Sequence, residues 1–250
     1  MKFFVGLHHP ARAIHFERAF ISVNALRRVD NDGNITKQRR SDFPANKWIM
    51  DSGAFTEVFG HGRYRTTVED YAWQIKRWST VGELVAACAQ DWMCEAKVLK
   101  VTGLTVREHQ ARTVDRFVAL KEAAADSGVY IMPVLQGFTA AEYVDIIGQY
   151  ERAGEPLPEG ALVGVGSVCK RNGNPAEVEA VLTAILDARP DLRLHGFGLK
   201  LTALKSEAIR NALSSSDSMA WSFAAMKQGR DSNSWHEAAR FVERVEDLTG

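Results

Sequence analysis

Cysteine is scarce in this sequence. The three present, Cys88, Cys94 and Cys169, are an odd number at irregular spacing, which argues against a disulfide framework and for reduced thiols. Cys88 and Cys94 stand six apart, and no CxxC or paired Cys/His set offers a structural zinc site. Long hydrophobic runs are also missing. The opening MKFFVGLHHP carries too short an apolar stretch for a signal peptide, and nothing reaches the ~20 apolar residues of a membrane helix, so a cytoplasmic location is expected. Neither charge is in excess: Lys+Arg and Asp+Glu number 31 each. No global positive field therefore draws the chain to nucleic acid, although a local basic rim remains compatible with such a partner. Repeats, linkers and low-complexity segments are absent, so residues 1–250 read as one domain.

What is present fits a soluble α/β enzyme. The composition is 46% hydrophobic and 25% charged, and 250 residues match one (β/α)8 barrel. A chain of this size removes roughly three quarters of its unfolded surface from water. Short apolar runs recur at 3–7, 20–24, 48–51, 84–90, 129–136, 161–167, 192–197 and 219–223. Their near-continuous hydrophobicity fits parallel strands buried on both faces. Helical patterns lie between and after them, at 67–80, 106–127, 140–153, 175–188, 205–213 and 235–248. Thr67 with Asp70 and Thr139 with Glu142 resemble capping boxes. Eight strands alternating with helices predict a single compact TIM barrel, with a doubly wound open sheet as the alternative. The polar stretch 29–44 reads as a loop or hairpin.

In a barrel the reactive side chains sit at the C-terminal strand ends and in the loops after them. The residues there are His8 and His9, Asp51-Ser52-Gly53, Gln90-Asp91, Gln136-Gly137, Gly164-Val165-Gly166-Ser167, His195-Gly196-Phe197-Gly198 and Asp217-Ser218. Each also has a plain reading. A strand-end Asp often caps a helix or a turn, a glycine often serves a tight turn, and a lone His often sits satisfied in a core. Trp92, Met93 and Phe55 read by default as packing residues.

Taken in order the segments say more. Met50-Asp51-Ser52-Gly53-Ala54-Phe55, Gln90-Asp91, Val134-Leu135-Gln136-Gly137, Gly164-Val165-Gly166, Leu194-His195-Gly196-Phe197-Gly198 and Ser216-Asp217-Ser218-Met219-Ala220-Trp221 follow one another across residues 48–225. This series resembles the tRNA-guanine transglycosylase superfamily, whose members carry DSGGF-, VQGG-, GGL- and MGxG-like segments and a final FDS or FDC. The opening Phe4-Val5-Gly6-Leu7-His8-His9-Pro10 and the short chain are similar to one branch, the DNA-modifying deazaguanine transglycosylases of phages and of bacterial DNA-modification clusters. The chain departs from the tRNA enzymes in lacking their Cys/Cys/Cys/His zinc element, the Pro-Thr-Arg segment and an RNA-binding C-terminal domain. Gly53-Ala54 also stands where they have Gly-Gly.

The resemblance implies exchange of guanine in DNA for a 7-deazaguanine such as 7-cyano-7-deazaguanine, without a cofactor or metal and in the host cytoplasm if phage-encoded. It implies Asp217 as nucleophile and Asp51 as general acid and base. Asp91, Ser52, Gly53, Gln136, Gly137, Gly164, Val165 and Gly196 would hold the base, with Phe55 and His195 sandwiching its ring. The target guanine must leave the stack or be single-stranded. Lys170, Arg171 and Lys200 are the leading phosphate contacts, with Arg27-Arg28, Lys37-Arg39-Arg40 and Lys205 as further candidates. Rival readings are the same exchange on tRNA, a metal-dependent amidohydrolase barrel using His8, His9, His195 and Asp217, and a catalytically dead binding module. His8 and His9 are adjacent, so on a strand they face opposite sides and cannot chelate together. Monomer and homodimer are both left open.

Overall fold

The computed structural model describes residues 1–30, 35–36 and 41–249. Among these, nine parallel strands form the main sheet: β1 (Lys2–Gly6), β2 (Arg18–Ser22), β3 (Lys47–Asp51), β4 (Glu83–Cys88), β5 (Ile131–Met132), β6 (Val134–Leu135), β7 (Leu162–Val165), β8 (Arg193–Gly196) and β9 (Leu213–Ser218). Their order is β5-β4-β3-β2-β1-β9-β8-β7-β6. β5 and β6 are halves of one run split at Pro133, whose nitrogen has no hydrogen to give a ladder. The first half pairs with β4 and the second with β7, so the sheet curls into a nearly closed barrel.

Alternation along the strands sorts the side chains. Phe4, Phe20, Ile49, Ala86, Cys88 and Met132 pack together inside the barrel. Val5, Ile21, Trp48 and Met50 belong to the larger core shared with the helices. Both faces are apolar, which is why the strands read as continuous hydrophobic runs.

The outer helices are α1 (Val68–Trp78), α2 (Ala96–Thr102), α3 (Val106–Ala123), α4 (Ala140–Arg152), α5 (Pro175–Ala188), α6 (Glu207–Ala212), α7 (Ala220–Lys227) and α8 (Trp235–Thr249). Thr67 caps α1 by accepting the Asp70 N–H at 3.0 Å. Thr139 and Glu142 form a reciprocal box at α4, and Thr105 and Glu108 form one at α3. α8 lies against β1, with Phe241 5.9 Å from Phe3.

Three local expectations change. The last strand is Leu213–Ser218, while 219–223 opens α7. Three serines conceal this strand, because its inward Ser215 is satisfied by a buried histidine instead of by packing. α2 has no counterpart among the helical patterns of the sequence. The run 20–24 ends as a strand at Ser22 and passes into one helical turn, Val23–Leu26, while the loop or hairpin expected after it is a two-stranded hairpin of Arg28–Val29 with Ile35–Thr36. Lys37, Arg39 and Arg40 lie outside the described residues. Among those described, no helix is long and apolar enough to cross a membrane.

Candidate active site

β3 ends in Asp51, in register with Ser22 at the end of β2. Two residues beyond the inward Ile49, Asp51 faces the barrel axis. Its Oδ2 accepts the Gly53 N–H at 3.1 Å. Gly53 has φ +76°, and a Cβ there would stand 2.6 Å from Asn24 Nδ2, so the turn requires glycine. Burial pushes the Asp51 carboxyl above the usual range; hydrogen bonds from Ser22 and Gly53 pull it back, and the neighbouring Asp217 charge adds to the rise.

Asp91 follows β4 and is buried. Tyr64 pins its backbone by donating to its carbonyl at 2.9 Å. Its carboxylate receives the Gln136 amide and, at 3.4 Å, the Ser52 hydroxyl. Burial carries Asp91 to about 7 despite the Gln136 hydrogen bond, with the Asp51 charge contributing. Gln136 is itself held, since its Oε1 accepts from Ser167 Oγ at 2.7 Å. Ser167 Oγ accepts the Cys94 N–H at 3.0 Å. Ser167 takes φ +57°, a left-handed conformation that costs a serine energy and is kept by its hydrogen bonds.

Asp217 lies near the end of β9, in register with Phe4. Its Oδ1 accepts the Gly198 N–H at 3.0 Å and contacts His195 Nε2 at 3.3 Å. His195 is fully buried, with Nδ1 on Ser215 Oγ at 2.8 Å and its ring stacked on Phe20 at 5.6 Å.

Asp51, Asp91 and Asp217 meet in one cavity of about 220 Å³, also lined by Phe20, Phe55, Met93, Glu95, Gln136, Gly166, Ser167 and Met219. That is smaller than the ~300–1,000 Å³ of pockets for drug-sized ligands and suits a single small heterocycle. A larger hollow of about 790 Å³ lies at the opposite end of the barrel among Lys2, Arg18, Lys47 and Arg193, away from the three carboxylates.

The family model described as DpdA, DeoxyPurine in DNA protein A, matches residues 3–241. The chain belongs to the DpdA family. That family is the DNA-modifying deazaguanine transglycosylases, relatives of the tRNA-guanine transglycosylases. No curated protein matches it. Solved structures similar to parts of it include the Rhizobium etli pyruvate carboxylase carboxyl transferase domain Y628A with pyruvate, at 14% identity and TM-score 0.40 over 81% of this chain and 35% of that one. The same domain with 3-hydroxypyruvate gives 14% and 0.40 over 80% and 34%, and the T882A carboxylase gives 10% and 0.41 over 99% and 28%. The chain thus spans about a third of the length of these structures. Likeness this slight carries no argument.

Within this DpdA-family site, Asp51, Gly53, Phe55, Asp91, Gln136 and Asp217 line the cavity. Ser52 is buried behind Asp91. Gly137 lies against α4, where a Cβ would press on Glu142 and Tyr143. Gly164, Val165 and Gly196 sit one step lower in the barrel, Gly164 against the Phe197 ring and Gly196 against Leu199. Gly166 and Ser167 occupy the wall expected of Gly164 and Val165. His195 does not line the cavity, because its ring is stacked on Phe20 beneath Asp217.

At the mouth, Lys170 lies over the ring of the exposed Phe55 at 5.3 Å and Arg171 over that of the exposed Phe138 at 4.6 Å. Lys200 is exposed, and its backbone N–H is tied to Asn172 at 2.7 Å. Arg27 departs from the rim expectation. It is buried and donates to the fully buried Glu57 at 2.7 Å, bracing the Phe55–Phe59 turn. His8 is occupied by Ser222 at 2.8 Å, and among the described residues no group of three or more His, Cys, Asp or Glu could hold a metal.

Sequence reasoning gives no site role to Glu95 or Phe20, and names Ser167 and Met219 only as members of strand-end segments. Ser167 closes the strand-end segment Gly164-Val165-Gly166-Ser167, and that place is the signal that marks it. Nothing in the pattern marks Glu95.

Proposed function

We propose that the protein replaces guanine in DNA with a 7-deazaguanine through a glycosyl bond to Asp217. The observation that carries this is the meeting of three differently held carboxyls in one base-sized cavity of a DpdA-family chain.

Asp217 attacks C1′ of a flipped-out deoxyguanosine. The C1′–N9 bond breaks, a C1′–O bond forms, and guanine leaves with a proton from Asp51, whose raised pKa keeps that proton available. The ionised Asp51 then takes the N9 proton of the incoming deazaguanine. Attack by that nitrogen at C1′ releases Asp217, and two inversions preserve the β configuration. Gly198 and His195 orient the Asp217 carboxylate. His195 therefore positions the nucleophile instead of stacking on the base.

Asp91 accepts from the N1–H and 2-amino edge of the base, and Gln136 with Gly166 faces its O6. Adenine would leave the buried Asp91 unpaired. Phe55 supplies a ring face. Lys170, Arg171 and Lys200 meet the phosphates flanking the flipped nucleotide, and the Phe55 and Phe138 rings, each under a cation, offer stacking for neighbouring bases.

The test is to incubate the purified protein with labelled guanine and either DNA or tRNA. Label retained in DNA and not in tRNA is expected. Retention in tRNA alone would replace DNA as substrate, and retention in neither polymer by the folded protein would remove the proposal.

A further inference from the structure

The exchange chemistry gives Glu95 no task. Its Oε2 is buried without a hydrogen-bond partner, its Oε1 receives Cys169 Sγ at 3.9 Å, the Ser167 hydroxyl and the Lys170 charge stand beside the carboxyl, and the residue is 7% exposed. It stands at the N-cap position of α2 yet makes no capping bond. A polar group held this way is costly, and an apolar side chain would fill the space more cheaply. Its place in the pocket is informative. Asp91 binds Gln136, Gln136 binds Ser167, and Ser167 lies beside Glu95. The edge of a deazaguanine presents the 2-amino group and N1, then O6, then position 7. With the first on Asp91 and O6 at Gln136, position 7 turns towards Ser167 and Glu95.

We propose that Glu95 reads the substituent at position 7 of the incoming base, selecting a polar group that pairs with its free oxygen. This rests on the base-exchange reading. A carboxylate accepts from an amine, and a neutral carboxyl donates to a nitrile nitrogen, whereas hydrogen at position 7 leaves Glu95 unpaired.

The experiment measures kcat/KM for exchange into DNA with 7-deazaguanine, 7-cyano-7-deazaguanine and 7-aminomethyl-7-deazaguanine, using wild type and Glu95→Leu. Wild type is expected to favour the better polar base over 7-deazaguanine by about tenfold or more, and Glu95→Leu to bring the ratio within about twofold. An unchanged ratio in the variant overturns the assignment. If Glu95→Leu does not fold, wild type decides alone, because equal use of all three bases also overturns it. A wild type that exchanges no base withdraws the exchange reading itself, which is distinct from exchange without preference.

Discussion

At the scale of single residues the site is three carboxyls given different surroundings by burial and hydrogen bonding. Asp91 makes a pH prediction. Its folded pKa of about 7 lies above the ordinary 3.8, so the folded state holds this proton longer than the unfolded one. The stability so gained is present below about pH 4 and is lost as pH rises through about 7. Relative to Asp91→Asn, the wild type should lose up to about 4 kcal/mol between pH 4 and pH 8 in urea unfolding, and a difference that stays flat with pH would contradict this. The three aspartates were legible because each stands beside small residues in an ordered series of motifs. Glu95 was not, and Ser167 was legible only as a member of a strand-end segment, because their meaning comes from a chain of contacts joining the segments after β4, β6 and β7 that no single stretch contains. For His195 the plain reading of a satisfied core histidine holds, while the stacking role implied by the resemblance does not, because its environment is made by Phe20 and Ser215, distant in sequence.

At the scale of elements, the loops after the strands work because close packing fixes them. A Cβ on Gly166 would stand 2.1 Å from Gln136 Nε2. Gly166→Ala should therefore push Gln136 off Asp91 and cut kcat/KM by about tenfold or more while the far-ultraviolet dichroism stays unchanged, as loss of one buried hydrogen bond to a charged group predicts. The turn carrying Phe55 hangs on the buried Arg27–Glu57 pair. Arg27→Met takes the buried cation from Glu57, which keeps the longer Arg65 contact and the Arg65 and Thr66 N–H groups; it should cost about 3 kcal/mol in denaturant unfolding, and a loss below about 1 kcal/mol would show that the pair does not brace the turn. Helices with a strong apolar face or a Thr cap were readable to within a few residues, α5 at both ends. β9 was not, since Ser-Ser-Ser carries no apolar signal and its burial is settled by partners across the barrel. α2 is short and follows Glu95, whose side chain makes no capping bond to announce it.

At the scale of the whole molecule, the proposed DNA would have to be held locally by a chain with no net charge. Lys170, Arg171 and Lys200 stand on loops after β7 and β8. Replacing Lys170 and Arg171 by Ala should weaken DNA binding across sequences and flatten the slope of log K against log salt by about 0.9 for each phosphate no longer neutralised; an unchanged slope would place the DNA elsewhere. The barrel itself was foreseeable from alternating apolar runs and helices, but the way β5 and β6 divide at Pro133 to meet opposite neighbours emerges only when the ring forms. The most direct measurement of the central claim is mass spectrometry of denatured protein after brief incubation with DNA and no incoming base. The account predicts a DNA adduct that maps by peptide to Asp217, disappears in Asp217→Asn and is discharged by added 7-deazaguanine. An adduct on another residue, or one that survives in Asp217→Asn, would contradict it.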